Sequence, residues 1–168
     1  MNKRTGITII MIITCFTPSL FDSKQESSEF NAGFNFFNFN FDNNQSENVI
    51  IGSHPLTLQW IGWDHPGTID FYKEMDLIIC KGEQFSKEND TDFLKIDGVV
   101  EEIIDEKEFI FRGTIITKVS YINGGEECAR EGTFHFKASG TRKYWRMKEM
   151  DNPCEGVTDY VDIFFKKL

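Results

Sequence analysis

The chain has 168 residues, 40% hydrophobic and 27% charged, with 17 Phe against 4 Tyr and 3 Trp. That length suits one modest domain. Lys and Arg number 18 against 27 Asp and Glu, giving a net charge of −9. Such an acidic balance argues against a nucleic-acid partner, whose phosphates need a high density of Lys and Arg, and against electrostatic docking on anionic lipid. No apolar run reaches bilayer-spanning length, so no transmembrane span is expected.

Residues 1–21 read as an export signal. Lys3 and Arg4 form a positive start, and Ile7 to Ile13 form a short apolar run. Removing this segment takes away two cations and no acid, which leaves the mature chain more acidic still. Cys15 directly follows the apolar run, and Ile12-Ile13-Thr14-Cys15 resembles a lipobox at its first two positions. Thr14 stands where such a signal usually has Gly, Ala or Ser. Two fates are open: lipidation of Cys15 as an anchor, or an ordinary signal-peptidase cut near Thr17-Pro18-Ser19. Either puts the protein in the cell envelope or outside the cell.

Residues 22–52 read as a low-complexity linker. Ser, Gln and Glu dominate its start, and six Phe and five Asn then fall between Phe30 and Asn43. The Phe36-Phe37 doublet switches the face on which the aromatics would lie, which breaks a strand pattern. A tether of this kind gives an anchored domain reach.

Residues 53–168 read as a β domain. Ile69 and Phe71 alternate with polar neighbours, as do Leu94 and Ile96. Phe109, Phe111, Ile115 and Val119 share one face of a long run, and Phe134, Phe136 and Ala138 share another. Trp145 and Met147 face one way while Tyr144 and Arg146 face the other. Val161, Ile163 and Phe165 close the chain. Each is the period-2 pattern of a half-buried strand. Short turn signals, such as Lys73-Glu74-Met75-Asp76 and Asp105-Glu106-Lys107, make neighbouring strands antiparallel. Val99 to Ile104 offers only a brief helical alternative. The expected fold is all-β: an antiparallel meander of about seven or eight strands forming a small barrel or sandwich. Gly98 and Gly113, in mid-strand, are expected to mark bulges or bends.

Cys80 lies in an apolar strand, whereas Cys128 and Cys154 lie in turn-rich stretches. An oxidising compartment favours a disulfide between the latter two, with Cys80 a buried free thiol. In the chain-entropy account that bridge stabilises the fold by about 3 kcal/mol. No CxxC or CxxH spacing appears, so no metal is expected.

Catalytic motifs are missing: there is no G-x-S-x-G, H-E-x-x-H or P-loop. Asp64-His65 sits in a Pro-Gly turn and reads as a surface pair, and His135 reads as a solvated strand residue. Glu88 to Asp92 lacks the Gly and distal Glu of an EF-hand loop. The densest stretch is Arg142 to Phe165. Its Thr158-Asp159-Tyr160 matches a short lipocalin motif, but the Gly-x-Trp of that family is absent, Trp60-Ile61-Gly62-Trp63 standing instead. A tripeptide assigns no family.

Arg142, Lys143, Arg146 and Lys148 form a basic island on an acidic background. With Tyr144 on the face of Arg146, it suits an anionic or sugar ligand held by stacking and hydrogen bonds. The candidate ligand-binding residues are therefore Tyr144, Arg146, Arg142 and Lys148. The alternative has these cations pairing with neighbouring acids, and an outward Arg146 is then expected to matter little to stability. The functional expectation is an exported, non-catalytic module that binds an unknown small molecule, glycan or protein, with no cofactor. A hydrolase using acidic side chains in a β-barrel cleft is the alternative.

Overall fold

Eight strands close into a single antiparallel barrel in simple chain order, each paired with its sequence neighbours and the last returning to the first. The computed structural model describes residues 43–89 and 91–166. The predicted export signal, Cys15 and the Phe-rich part of the leader lie outside the described residues. The strands are β1 (Gly52–Leu58), β2 (Gly67–Glu74), β3 (Leu77–Phe85) and β4 (Phe93–Asp105), then β5 (Glu108–Lys118), β6 (Cys128–Lys137), β7 (Tyr144–Met147) and β8 (Val161–Phe164). Barrel rather than sandwich is the outcome, because β1 pairs with both β2 and β8 and leaves no sheet edge.

The inward residues are those the alternation assigns. Phe71, Phe109, Phe111, Phe136 and Trp145 are each at most 1% exposed and fill the interior with aromatic rings. Phe109 and Phe136 stack with centroids 5.2 Å apart, and Trp145 meets Phe109 edge to face at 5.6 Å. The indole Nε1–H of Trp145 donates to the Glu106 carbonyl of the β4–β5 turn at 3.1 Å, so this buried ring keeps its polar atom satisfied.

Gly98 and Gly113 are not themselves bulges. They face each other across β4 and β5, and a Cβ on either would come within 2.7 Å of the Phe111 ring. Their missing side chains make room for that ring. The register shifts fall further along, at Val100/Glu102 and Ile103/Asp105. Val99 to Ile104 is strand throughout.

The linker expected over residues 22–52 ends too late. Asn43–Ile50 form a helix, α1, and Gly52 already belongs to β1. Ile50 is fully buried in the barrel core, with Val49 and Ile51 packed against it. A helix this short is marginal alone, and its stability comes from docking that apolar end. His54 fixes the junction: Nε2 lies 2.7 Å from the Ile50 carbonyl and Nδ1 lies 3.0 Å from the Phe164 carbonyl. Glu47 adds an ion pair to Lys73 of β2 at 2.7 Å.

The disulfide joins Cys128 and Cys154, with Cα atoms 6.0 Å apart. Cys80 is free and buried, and burial pushes its thiol far up from the ordinary range, so it stays protonated.

Candidate functional site

The outer face of β1, β8 and β7 carries the most distinctive polar arrangement in the protein. Thr57 of β1 pairs across with Asp162 of β8, and Asp162 pairs in turn with Arg146 of β7. One step along, Tyr144 pairs with Phe164. These positions alternate with the inward Leu56, Trp145 and Ile163, so they point away from the core. Yet the Asp162 side chain is 0% exposed and that of Arg146 only 16%.

Two parallel hydrogen bonds join that pair: Arg146 Nε to Asp162 Oδ1 at 2.7 Å and Nη2 to Oδ2 at 2.6 Å. Aromatic rings cover the guanidinium, which lies 4.2 Å from the centroid of Tyr160 and 5.2 Å from that of Tyr144. The Arg142 guanidinium also lies over the Tyr144 ring, 5.7 Å from its centroid. Burial pushes the Asp162 carboxyl above its ordinary range, and the hydrogen bond and charge of Arg146 pull it back only in part. The hydrogen bond to Asp162 raises Arg146 itself, which therefore stays charged. The outward Arg146 is thus bound to a fully buried carboxylate, a pairing that strand parity alone does not announce. Its surroundings, not its strand parity, decide its weight.

Beside this cluster runs an apolar groove of about 590 Å³. Pro55 and Thr57 of β1 and Phe164 of β8 form its floor, with Phe165 beyond. Trp63 and Pro66 of the β1–β2 loop close one end, and Lys143 and Lys166 stand at the other. Trp63 is 44% exposed, whereas Trp60 of the same loop packs against the core. Gln84 holds that loop in place: its amide donates to the carbonyls of Gly62 and His65, and its oxygen accepts from the Leu58 amide. The buried Thr57 hydroxyl has no hydrogen-bond partner among the described residues, which ordinarily costs about 1–3 kcal/mol.

A second polar cluster sits at the barrel end that carries the disulfide. Asp159 is fully buried and accepts from Arg130 Nη2 at 3.0 Å, Asn152 Nδ2 at 3.0 Å and Trp60 Nε1 at 2.9 Å. These groups tie the β7–β8 connection to β6 and to the end of β1. Both fully buried carboxylates, Asp159 and Asp162, are therefore matched to an arginine each. Neither of these two carboxylates is therefore free for acid–base work. His135 accompanies Glu149 at 2.7 Å on the half-exposed surface of β6.

Of the predicted ligand-binding residues, Tyr144, Arg146 and Arg142 come together, whereas Lys148 lies exposed past the end of β7. Sequence reasoning missed Asp162, Thr57, Trp63 and the Asp159 cluster. Arg130 carried a signal: it shares the parity of Cys128, Phe134 and Phe136 and so belongs to the inward face. Among the described residues no cluster of His, Cys, Asp and Glu suited to a metal occurs.

Residues 39–165 match the model of the PM1083 family. The chain is 44% identical over 119 residues to a protein of Pasteurella multocida (strain Pm70) named Uncharacterized protein PM1083, a match spanning 71% of this chain and 75% of that one. No solved structure matches. The matched span contains the whole barrel and the disulfide, and on this evidence the chain belongs to the PM1083 family.

Proposed function

We propose that the protein is an exported, non-catalytic binding module of the cell envelope or extracellular space, and that its ligand seats on the outer groove beside Arg146. One observation carries this reading. The barrel interior is filled by its own Trp and Phe rings, while an aromatic groove of ligand-sized volume lies open on the outside. A positive leader followed by an apolar run supports export, and the Cys128–Cys154 disulfide suits an oxidising compartment.

Mass spectrometry under native conditions, on protein isolated from the exported fraction, tests it. The expected species is a chain shortened at its start, with or without lipid on Cys15, that retains a small ligand. The Trp63→Ala variant should lose that ligand. A chain still beginning at Met1 would overturn export, and a ligand retained equally by Trp63→Ala would overturn the groove.

A further inference from the structure

The groove is polarised along its length. Trp63 and Pro66 belong to the β1–β2 loop, at one end of the barrel. Lys143 precedes β7 and Lys166 follows β8, at the opposite end. Apolar walls thus lead from an exposed indole toward two ammonium groups. Among the described residues, neither lysine lies within 4.0 Å of a carboxylate; Lys166 donates instead to the Ile51 carbonyl. Arg142 adds a third cation nearby, stacked on Tyr144 and likewise without an acid partner among the described residues.

Other described cations, such as Lys107 and Lys118, also lack an acid within 4.0 Å, so what sets Lys143 and Lys166 apart is their shared place in the lining of an apolar groove. Arg146, by contrast, is fully matched by Asp162 and has no charge to spare. The floor also holds the unpartnered hydroxyl of Thr57. We propose that the groove takes a small amphipathic anion: an apolar body lying along Pro55, Phe164 and Trp63, with one carboxylate or similar head between Lys143 and Lys166. This assignment rests on the groove being the binding site and goes further by naming the chemistry. A sugar fits poorly, because the walls offer few hydrogen-bonding groups. A cationic or zwitterionic body would meet the lysines unfavourably.

Sodium decanoate and decanol, which share one chain and differ in the head, provide the test on the full mature chain. Amide and indole shifts in ¹H–¹⁵N spectra report binding, below the micellar concentration. Decanoate should perturb Trp63 and Phe164 and bind at least tenfold more tightly than decanol. Lys143→Gln combined with Lys166→Gln should bring decanoate down to the decanol level, while decanol binding and the remaining spectrum stay unchanged. Trp63→Ala should weaken both probes. Equal affinity of the two probes would overturn the anion assignment and leave the groove standing. No groove shift with either probe would overturn both readings. Binding to phosphatidylglycerol vesicles but not to decanoate would make the face a membrane contact and overturn the small-molecule assignment.

Discussion

Arg146 and Asp162 meet on the outside of the barrel through two hydrogen bonds of 2.7 and 2.6 Å, yet the carboxylate is as inaccessible as a core residue. Removing one partner of such a pair leaves a buried charge uncompensated. Arg146→Ala should therefore destabilise the protein by about 3 kcal/mol. Arg146→Lys should recover only part of this, because an ammonium cannot reproduce the bidentate geometry. Denaturant unfolding of the two variants measures both. A loss under 1 kcal/mol for Arg146→Ala would show that water reaches Asp162.

Trp145 occupies the centre of the same strand from the other side, with no exposed surface. Trp145→Ala should cost roughly 3–5 kcal/mol through lost contacts and a cavity against Phe109 and Phe165. Urea melts followed by far-ultraviolet circular dichroism decide the size of the effect. If the variant is as stable as the wild type, the packing inferred for β7 is wrong.

The helix α1 supplies a test of where the folded unit begins. A chain starting at residue 43 should melt like the full-length chain, while one starting at residue 53 should melt several degrees lower. The point variant Ile50→Ala should lose about 2–4 kcal/mol, the usual cost of truncating a buried aliphatic residue. Equal melting temperatures for the two truncations would place Ile50 outside the cooperative core.

His54 makes that junction sensitive to acid. Burial pushes its imidazole below the ordinary value of 6.5 and outweighs the two carbonyls, each of which favours the protonated ring. The unfolded chain then binds a proton at a pH where the folded one does not. The stabilising contribution is fully present above pH 6.5 and declines as the pH falls through the window below it. The His54 Hε1 resonance should accordingly titrate below 6.5. A midpoint above that value would mean the carbonyls win and would reverse the sign.

Cys80, Cys128 and Cys154 should separate cleanly by reactivity. Under native, non-reducing conditions an alkylating reagent should modify none of Cys80, Cys128 and Cys154, because the first is buried and protonated and the others are bridged. Peptide mapping after denaturation without reductant should then find Cys80 labelled and neither Cys128 nor Cys154. A label on Cys128 or Cys154 would contradict the bridge.

Strand alternation made the barrel interior readable from the chain itself. Phe71, Leu94, Phe109, Phe136 and Trp145 all lie inward as their spacing requires, because in a strand the side-chain direction is a local property with period 2. The disulfide was legible too, since turn context singles out Cys128 and Cys154. Burial on the outer face was not legible. The parity of Asp162 marks it as outward, and only the bidentate contact of Arg146 under Tyr160 shows that it is enclosed. The end of the linker was likewise undetermined by composition, because Asn43–Ile50 folds only when Ile50 finds the barrel. The basic island appeared in the sequence as four equivalent cations. Tertiary structure divided them, matching Arg146 to a buried acid, leaving Lys148 exposed and setting Lys143 beside Lys166 at the mouth of one groove. Local alternation can state which way a side chain points, but what it meets depends on segments brought together from far along the chain.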